Sequence, residues 1–179
     1  MVTNTPERLR ASIRNVPDFP KKGIVFRDIT TLLQDPAAFR EANDSLFERY
    51  RSSGAAKIAG IESRGFIFGS VLASRLGAGF VPVRKPGKLP SASIREVYQL
   101  EYGSDALEIH ADSIAAGEKI LIVDDLLATG GTAAAACSLV RRLGGSIIGV
   151  AFLVELAFLG GRKKLQEYDV FSIVSYESE

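Results

Sequence analysis

Two adjacent carboxylates, Asp124 and Asp125, follow an unbroken apolar run from Ile120 to Val123, and a loop of small residues, Ala128-Thr129-Gly130-Gly131-Thr132, comes just after them. Two ionisable groups at the end of such a run are costly to fold around unless something uses them. Carboxylates accept hydrogen bonds and hold hard cations, so their natural partners are hydroxyl groups or a hydrated metal ion. The loop offers the opposite chemistry. Its glycines let backbone N–H groups curl round an anion, Thr129 and Thr132 can donate hydroxyls, and a helix start beyond them adds positive partial charge. Gly-Gly also suits a plain tight turn, and on the loop alone both readings stand. With the acidic pair beside it, the stretch fits a phosphorylated sugar: phosphate on the loop, ribose hydroxyls on the aspartates. Neither a Walker sequence nor G-x-G-x-x-G occurs, so the usual nucleoside-triphosphate and dinucleotide sites are not supported.

The elements that must carry these groups are legible from periodicity. Ile120–Val123 reads as a strand buried on both faces that ends at the acidic pair. After the loop, Ala136, Leu139, Val140 and Leu143 mark the core face of a helix. Upstream, Glu7 to Ile13 reads as a short helix broken by Pro17 and Pro20, and Asp35-Pro36 opens a helix to about Arg51. Lys57–Ile61 reads as a strand, Glu62–Gly65 as a turn, Phe66–Leu76 as a helix ending at Gly77 and Phe80–Val83 as a second strand. Pro82 fits there only where its missing N–H is not needed. From Arg84 the chain turns basic and irregular, with Lys85, Lys88 and Arg95 among prolines and serines. An insert of this kind suits a lid or projecting hairpin, with strands at Val97–Leu100 and Ala106–Ile109. Ile147–Val154 follows as a strand, Gly160-Gly161 opens a short helix, and Val170–Val174 closes as an edge strand.

This alternation implies an α/β fold, an open and mostly parallel sheet flanked by helices. Ligands of such sheets bind beyond the carboxyl ends of the strands. That rule sets Arg64, the Arg84–Lys88 cluster and Asp124–Thr132 on one rim, where Arg64 reads as an anion ligand. The irregular segment with Ile24, Val25 and Phe26 reads either as a hydrophobic clasp on the core or as a wall for a flat ligand. His110, the only histidine, is expected to be an exposed strand residue and not a general base. Glu101, next to a turn, reads locally as a solvated carboxylate.

Composition narrows the class. The chain has 179 residues, 46% hydrophobic and 24% charged, with a formal net charge of +1. A single domain over 1–179 is expected, with no nucleic-acid or membrane partner. The single cysteine, Cys137, excludes an internal disulfide and lies within a helical pattern, where a buried small hydrophobe is expected. No apolar leader shows in MVTNTPERLR and no stretch of 18 apolar residues occurs, so the expected location is cytoplasmic.

Val123-Asp124-Asp125 followed by Ala128 to Thr132 resembles the phosphoribosyl-diphosphate signature of the type I phosphoribosyltransferases. The resemblance runs over nearly the whole chain: Asp18-Phe19-Pro20 through Asp28-Ile29-Thr30, Ser63-Arg64-Gly65-Phe66, Arg84-Lys85, Gly87-Lys88-Leu89-Pro90 and Leu100-Glu101-Tyr102-Gly103. The last two narrow it to the adenine-using branch. Lys22 and Thr31 stand where many relatives carry proline, and Pro86 where some carry arginine. The resemblance implies a small N-terminal hood, a mobile lid hairpin and a homodimer. It also implies transfer of phosphoribosyl from phosphoribosyl diphosphate to adenine with Mg²⁺, giving AMP and diphosphate in purine salvage. Ala128, Thr129, Gly130, Gly131 and Thr132 would cradle the 5′-phosphate. Asp124 and Asp125 would hold the ribose hydroxyls and, through water, the metal. Arg64, Arg84 and Lys88 would neutralise the diphosphate, with a cis Glu62–Ser63 peptide aimed at it. Val25, Phe26, Arg27 and Leu126 would hold the adenine, and Glu101 with Arg64 would be catalytic. The same fold also serves transcription regulators as an effector domain, a reading that expects a DNA-binding domain or a basic face.

Overall fold

The computed structural model describes residues 5–99 and 103–178. The N-terminal part holds α1 (Thr5–Ser12), β1 (Arg14–Val16), β2 (Phe26–Asp28), α2 (Thr30–Gln34) and α3 (Pro36–Tyr50). The central part runs β3 (Lys57–Ile61), α4 (Gly65–Leu76), β4 (Gly79–Val83), β5 (Ser93–Gln99) and β6 (Ser104–His110). The last part holds β7 (Lys119–Leu127), α5 (Gly131–Arg142), β8 (Ser146–Leu156), the 3-10 turns Ala157–Leu159 and Gly161–Leu165, and β9 (Val170–Tyr176).

The main sheet has five strands, all parallel, in the order β4-β3-β7-β8-β9. Pro82 is accommodated because β4 lies at the sheet edge, where one side of the strand has no ladder partner. The β3-α4-β4 crossover travels towards one edge and β7-α5-β8 towards the other. Right-handed connections therefore put α4 and α5 on opposite faces. The packing follows: α1, α2, α3 and α4 bury Leu9, Leu32, Leu46, Phe68 and Leu72 against one face. On the other face α5 and the β5–β6 hairpin bury Leu139, Val140, Leu107 and Ile109. Each such fully buried side chain contributes about 1.5–3 kcal/mol relative to exposure. β7 is the shared wall: Leu121 and Val123 pack on the α4 side, Ile120 and Ile122 on the α5 side.

Local chemistry sets the ends. Asp35 caps α3 by accepting the Ala37 and Ala38 N–H groups at 2.8 and 3.3 Å, and Pro36 occupies the first turn. Gly77, at φ +65°, closes α4. Three expectations need correction. β7 does not end at the acidic pair but runs on to Leu127, because β8 continues to pair with it through Leu126↔Val154 and Leu127↔Glu155. The segment after Pro20 is not irregular throughout, since Phe26–Asp28 pairs antiparallel with Arg14–Val16 and α2 follows at once. The hairpin strands also start earlier than Val97 and Ala106, with pairing from Ser93↔His110 to Gln99↔Ser104. No helix among the described residues is long and apolar enough to cross a membrane.

Candidate active site

The chain reverses its winding between β3 and β7, and ligands of open α/β sheets bind at that switch point. A cavity of about 310 Å³ opens there, lined by Glu62, Ser63, Arg64, Lys85 and residues 124–133. It gathers the turn after β3 and the end of β7 with its loop, as the rim argument expects. A larger groove of about 550 Å³ runs along α5 away from the switch point. Its arginines are already committed, Arg141 to Glu167 and Arg142 to Glu96.

The acidic pair is under electrostatic load. Asp125 is buried, and Asp124 Oδ1 accepts the Asp125 N–H at 2.8 Å. Burial, then the neighbouring Asp125 charge, push the Asp124 carboxyl well above its ordinary value; burial also raises Asp125, against the pull of Arg64. Arg64 Nε stands 2.9 Å from Asp125 Oδ2, with the guanidinium 5.7 Å from the centre of the Phe26 ring. One cation facing two carboxylates leaves the pair short of compensation, and hydroxyl donors or a hydrated cation supply what is missing.

The loop is built to leave backbone donors open. Gly130, at φ +77°, is the N-cap of α5 and offers no side chain to the first turn, whose N–H groups have no carbonyl within the helix to bond. The helix packs its start closely, since a Cβ on Gly131 would come within 3.3 Å of the Gln99 carbonyl oxygen. On the neighbouring turn the Glu62–Ser63 peptide is cis, as expected.

The basic segment is not free. Glu62 accepts from Lys88 Nζ at 2.6 Å, from the Lys85 N–H at 3.1 Å and from two Arg84 nitrogens at 3.3 Å each. Burial pushes this carboxyl up, but those hydrogen bonds overcome it and hold it down at about 2. Glu108, buried on β6, ties the same segment from the other side. It accepts Arg95 at 2.7 and 2.9 Å and the Gly87 N–H at 2.9 Å, while its backbone exchanges hydrogen bonds with Arg84. Glu101, the expected catalytic carboxylate, and Leu100 lie outside the described residues. His110 ends β6, partly exposed and away from the cavity wall, in line with the strand reading.

Of the expected purine residues, Leu126 lines the cavity, whereas Val25, Phe26 and Arg27 do not. Phe26 reaches the site through Arg64, and packs edge-on against Phe19 at 5.2 Å. The Arg27 side chain turns away. Its guanidinium lies 4.1 Å from the centre of the Tyr176 ring and donates to Asn15 Oδ1 at 2.7 Å, which leaves only backbone for a ligand.

The phosphoribosyl transferase domain model matches residues 28–178. An adenine phosphoribosyltransferase of Gloeobacter violaceus is 59% identical over 169 residues, covering 94% of this chain and 99% of that protein. The chain belongs to the adenine phosphoribosyltransferases. The crystal structure of the Thermoanaerobacter pseudethanolicus enzyme superposes with a TM-score of 0.92 at 52% identity, over 95% of this chain and 99% of that one. The Saccharomyces cerevisiae enzyme, solved with an imino-altritol bisphosphate and adenine, superposes with a TM-score of 0.89 at 43% identity, over 94% and 98%.

Phosphoribosyltransferases generally use Mg²⁺ with phosphoribosyl diphosphate. In this family member the donor set suits an ion that keeps its waters. Two carboxylates are available, and among the described residues no group of three or more His, Cys, Asp or Glu side chains forms a cage. Sequence reasoning missed the side-chain roles of Glu62 and Glu108 in this adenine phosphoribosyltransferase. Glu62 could have been suspected, as a lone acid among Arg64, Arg84 and Lys88 on one rim. Glu108 carried no signal, because strand alternation says nothing about a partner on another element.

Proposed function

We propose that the switch-point cavity binds phosphoribosyl diphosphate and carries out the reaction of the family, forming AMP and diphosphate from that substrate and adenine. One observation carries the reading. The uncapped start of α5, the under-compensated pair Asp124–Asp125 and the cation Arg64 all face one 310 Å³ cavity. Anion, hydroxyls and leaving group each meet complementary chemistry there. The Ala128–Thr132 backbone and the Thr129 and Thr132 hydroxyls take the 5′-phosphate. Asp124 and Asp125 accept the ribose 2′- and 3′-hydroxyls, and their charge favours a sugar that turns cationic as the C1–O bond breaks. The same carboxylates would order a hydrated Mg²⁺, which supplies charge neutralisation to the diphosphate. Arg64, Arg84 and Lys88 bind the leaving diphosphate, the last two by exchanging Glu62 for it. N9 of adenine forms the new bond to C1 and its ring loses a proton, which the resemblance assigns to the neighbourhood of Glu101. Backbone groups of Val25 and Arg27 would read the purine edge, with Phe26 and Leu126 on its faces. The yeast enzyme was solved with adenine, which supports adenine as the acceptor.

Both cores lie on one sheet, which supports 1–179 as a single phosphoribosyltransferase domain. The basic segment and hairpin would act as the lid that excludes water from the activated sugar. A cytoplasmic homodimer is the form the resemblance implies.

Diphosphate release measured with adenine, hypoxanthine and guanine in parallel tests this reading. Hypoxanthine presents a carbonyl where the site expects an amino donor, and an unpaired buried group costs about 1–3 kcal/mol. Adenine is therefore expected to lead by about tenfold or more in kcat/KM. Comparable turnover of hypoxanthine would overturn the purine assignment.

A further inference from the structure

The phosphate loop is shaped from behind by a second pair of glycines, Gly160 and Gly161. The carbonyl oxygen of Gly161 lies 2.5 Å from where a Cβ on Gly130 would stand, and its Cα lies 3.2 Å from that point. The relation is reciprocal. A Cβ on Gly161 would overlap the Ala128 carbonyl oxygen and come within 3.0 Å of the Gly130 nitrogen. Two stretches of bare backbone therefore touch, with no room for a methyl group on either side. Gly161 is buried, and unlike Gly130 and Gly160 it does not have a positive φ. What it needs is space, not conformational freedom.

The turn that carries Gly161 is fastened on the side away from the loop. Arg162 forks onto Glu155 at 2.7 Å through both Nε and Nη2, and donates from Nη1 to the Val170 carbonyl at 2.8 Å. Glu155 is 4% exposed at the end of β8, and Leu165 closes the turn fully buried in the core. The turn is thus anchored to β8, β9 and the core beneath. An atom added at Gly161 therefore presses on the loop, since the turn is backed by these contacts on its far side.

We infer that Gly161 is a positioning residue for phosphoribosyl diphosphate, its backbone setting the curvature of 128–131 while the Glu155–Arg162 pair keeps it in place. This rests on the reading of that loop as the phosphate site. A displacement that breaks one backbone hydrogen bond to the charged phosphate is enough for a loss of roughly ten- to a hundredfold in affinity. The 5′-phosphate is not a reacting group, so the loop holds it alike in ground and transition states. Such a loss raises KM and spares kcat. Adenine, held by other elements, is unaffected.

The experiment is steady-state kinetics and calorimetric binding of phosphoribosyl diphosphate for Gly161→Ala, Arg162→Gln and Gly131→Val beside the parent. Gly161→Ala is expected to weaken phosphoribosyl-diphosphate binding by about tenfold or more. Its kcat at saturation and its KM for adenine stay near the parent, and melting stays cooperative. Arg162→Gln adds no atom against the loop and is expected to show a smaller loss of the same kind. If Gly161→Ala binds like the parent while Gly131→Val does not, the positioning role is wrong and the phosphate site stands. If both bind like the parent, the phosphate site itself is wrong. Equal losses for adenine and phosphoribosyl diphosphate would mean general loosening and overturn the inference. Should Gly161→Ala not fold, unchanged affinity in a cooperatively folded Arg162→Gln decides against it.

Discussion

Glu62 places a carboxylate among the cations of the cavity rim, and its partners explain why it is there. Lys88 and Arg84 converge on it, and the Lys85 N–H closes the set. The carboxylate keeps mutually repelling cations together at the rim. Its carboxyl titrates at about 2 in the folded chain against an ordinary value of 4.5. The sign follows from linkage. Between those values the unfolded chain takes up a proton that the folded chain refuses, so this contribution is complete above pH 4.5 and fades as pH falls towards 2. Glu62→Gln is therefore expected to flatten the acid limb of stability against pH in that window. Urea unfolding at a series of pH values reads the slope, and a slope equal to the parent's would show that the pairing carries no stability.

At the scale of elements, the site depends on how closely α4 meets the end of β7. A Cβ on Gly65 would stand 2.7 Å from the Val123 carbonyl oxygen, 2.9 Å from Asp124 Oδ1 and 3.0 Å from the Asp124 Cα. Two of those three neighbours are backbone, so the helix must move. Gly65→Ala is expected to cost about 1–3 kcal/mol by overpacking. It would also shift Ser63 and Arg64 relative to the acidic pair and so depress kcat/KM. Asp35→Ala makes the useful contrast. Losing the cap of α3 costs about 1 kcal/mol, a few degrees in Tm, without touching the rim. Thermal melts beside kinetics of the two variants separate these effects. Equal activity in both at similar stability would argue against the close approach having any bearing on the site.

Across the whole molecule, the last strand is tied to the first elements and through them to the segment Val25-Phe26-Arg27, proposed above to read the purine. Tyr176 lies between two guanidinium groups, Arg27 at 4.1 Å and Arg10 at 5.1 Å from the ring centre, and Arg10 also donates to the Ser175 carbonyl. The Tyr176 hydroxyl is buried with no hydrogen-bond partner among the described residues, so the ring face is what Tyr176 offers these arginines. A cation over an aromatic face contributes about 0.5–2 kcal/mol. Tyr176→Leu keeps apolar bulk but removes that face, and is expected to raise KM for adenine by about threefold or more while sparing phosphoribosyl diphosphate. Tyr176→Phe should behave like the parent. Initial rates with each substrate varied in turn check this, and an effect confined to phosphoribosyl diphosphate would sink it.

The sequence by itself determined the fold class, the rim and the Gly-Gly loop before α5. Each of these is written in local code: a buried run reads as a strand, Asp35-Pro36 as a helix start, and Gly-Gly before an apolar helical face as a loop and helix start. The rim then follows from the strand ends, whereas the strand order β4-β3-β7-β8-β9 came from the structure, since handedness fixes the face a helix takes and not its strands' neighbours. What only the tertiary structure decided are contacts between segments far apart in the chain. These are Glu62 reaching Lys88, Glu108 reaching Gly87 and Arg95, Gly161 backing Ala128 and Gly130, and Tyr176 under Arg27. A carboxylate on a strand or a glycine in a turn has the same local signature whether or not another backbone presses against it. Long-range packing alone makes that distinction. β7 shows the same limit in small: its run past the acidic pair to Leu127 is set by the ladder with β8, which no property of residues 124–127 announces.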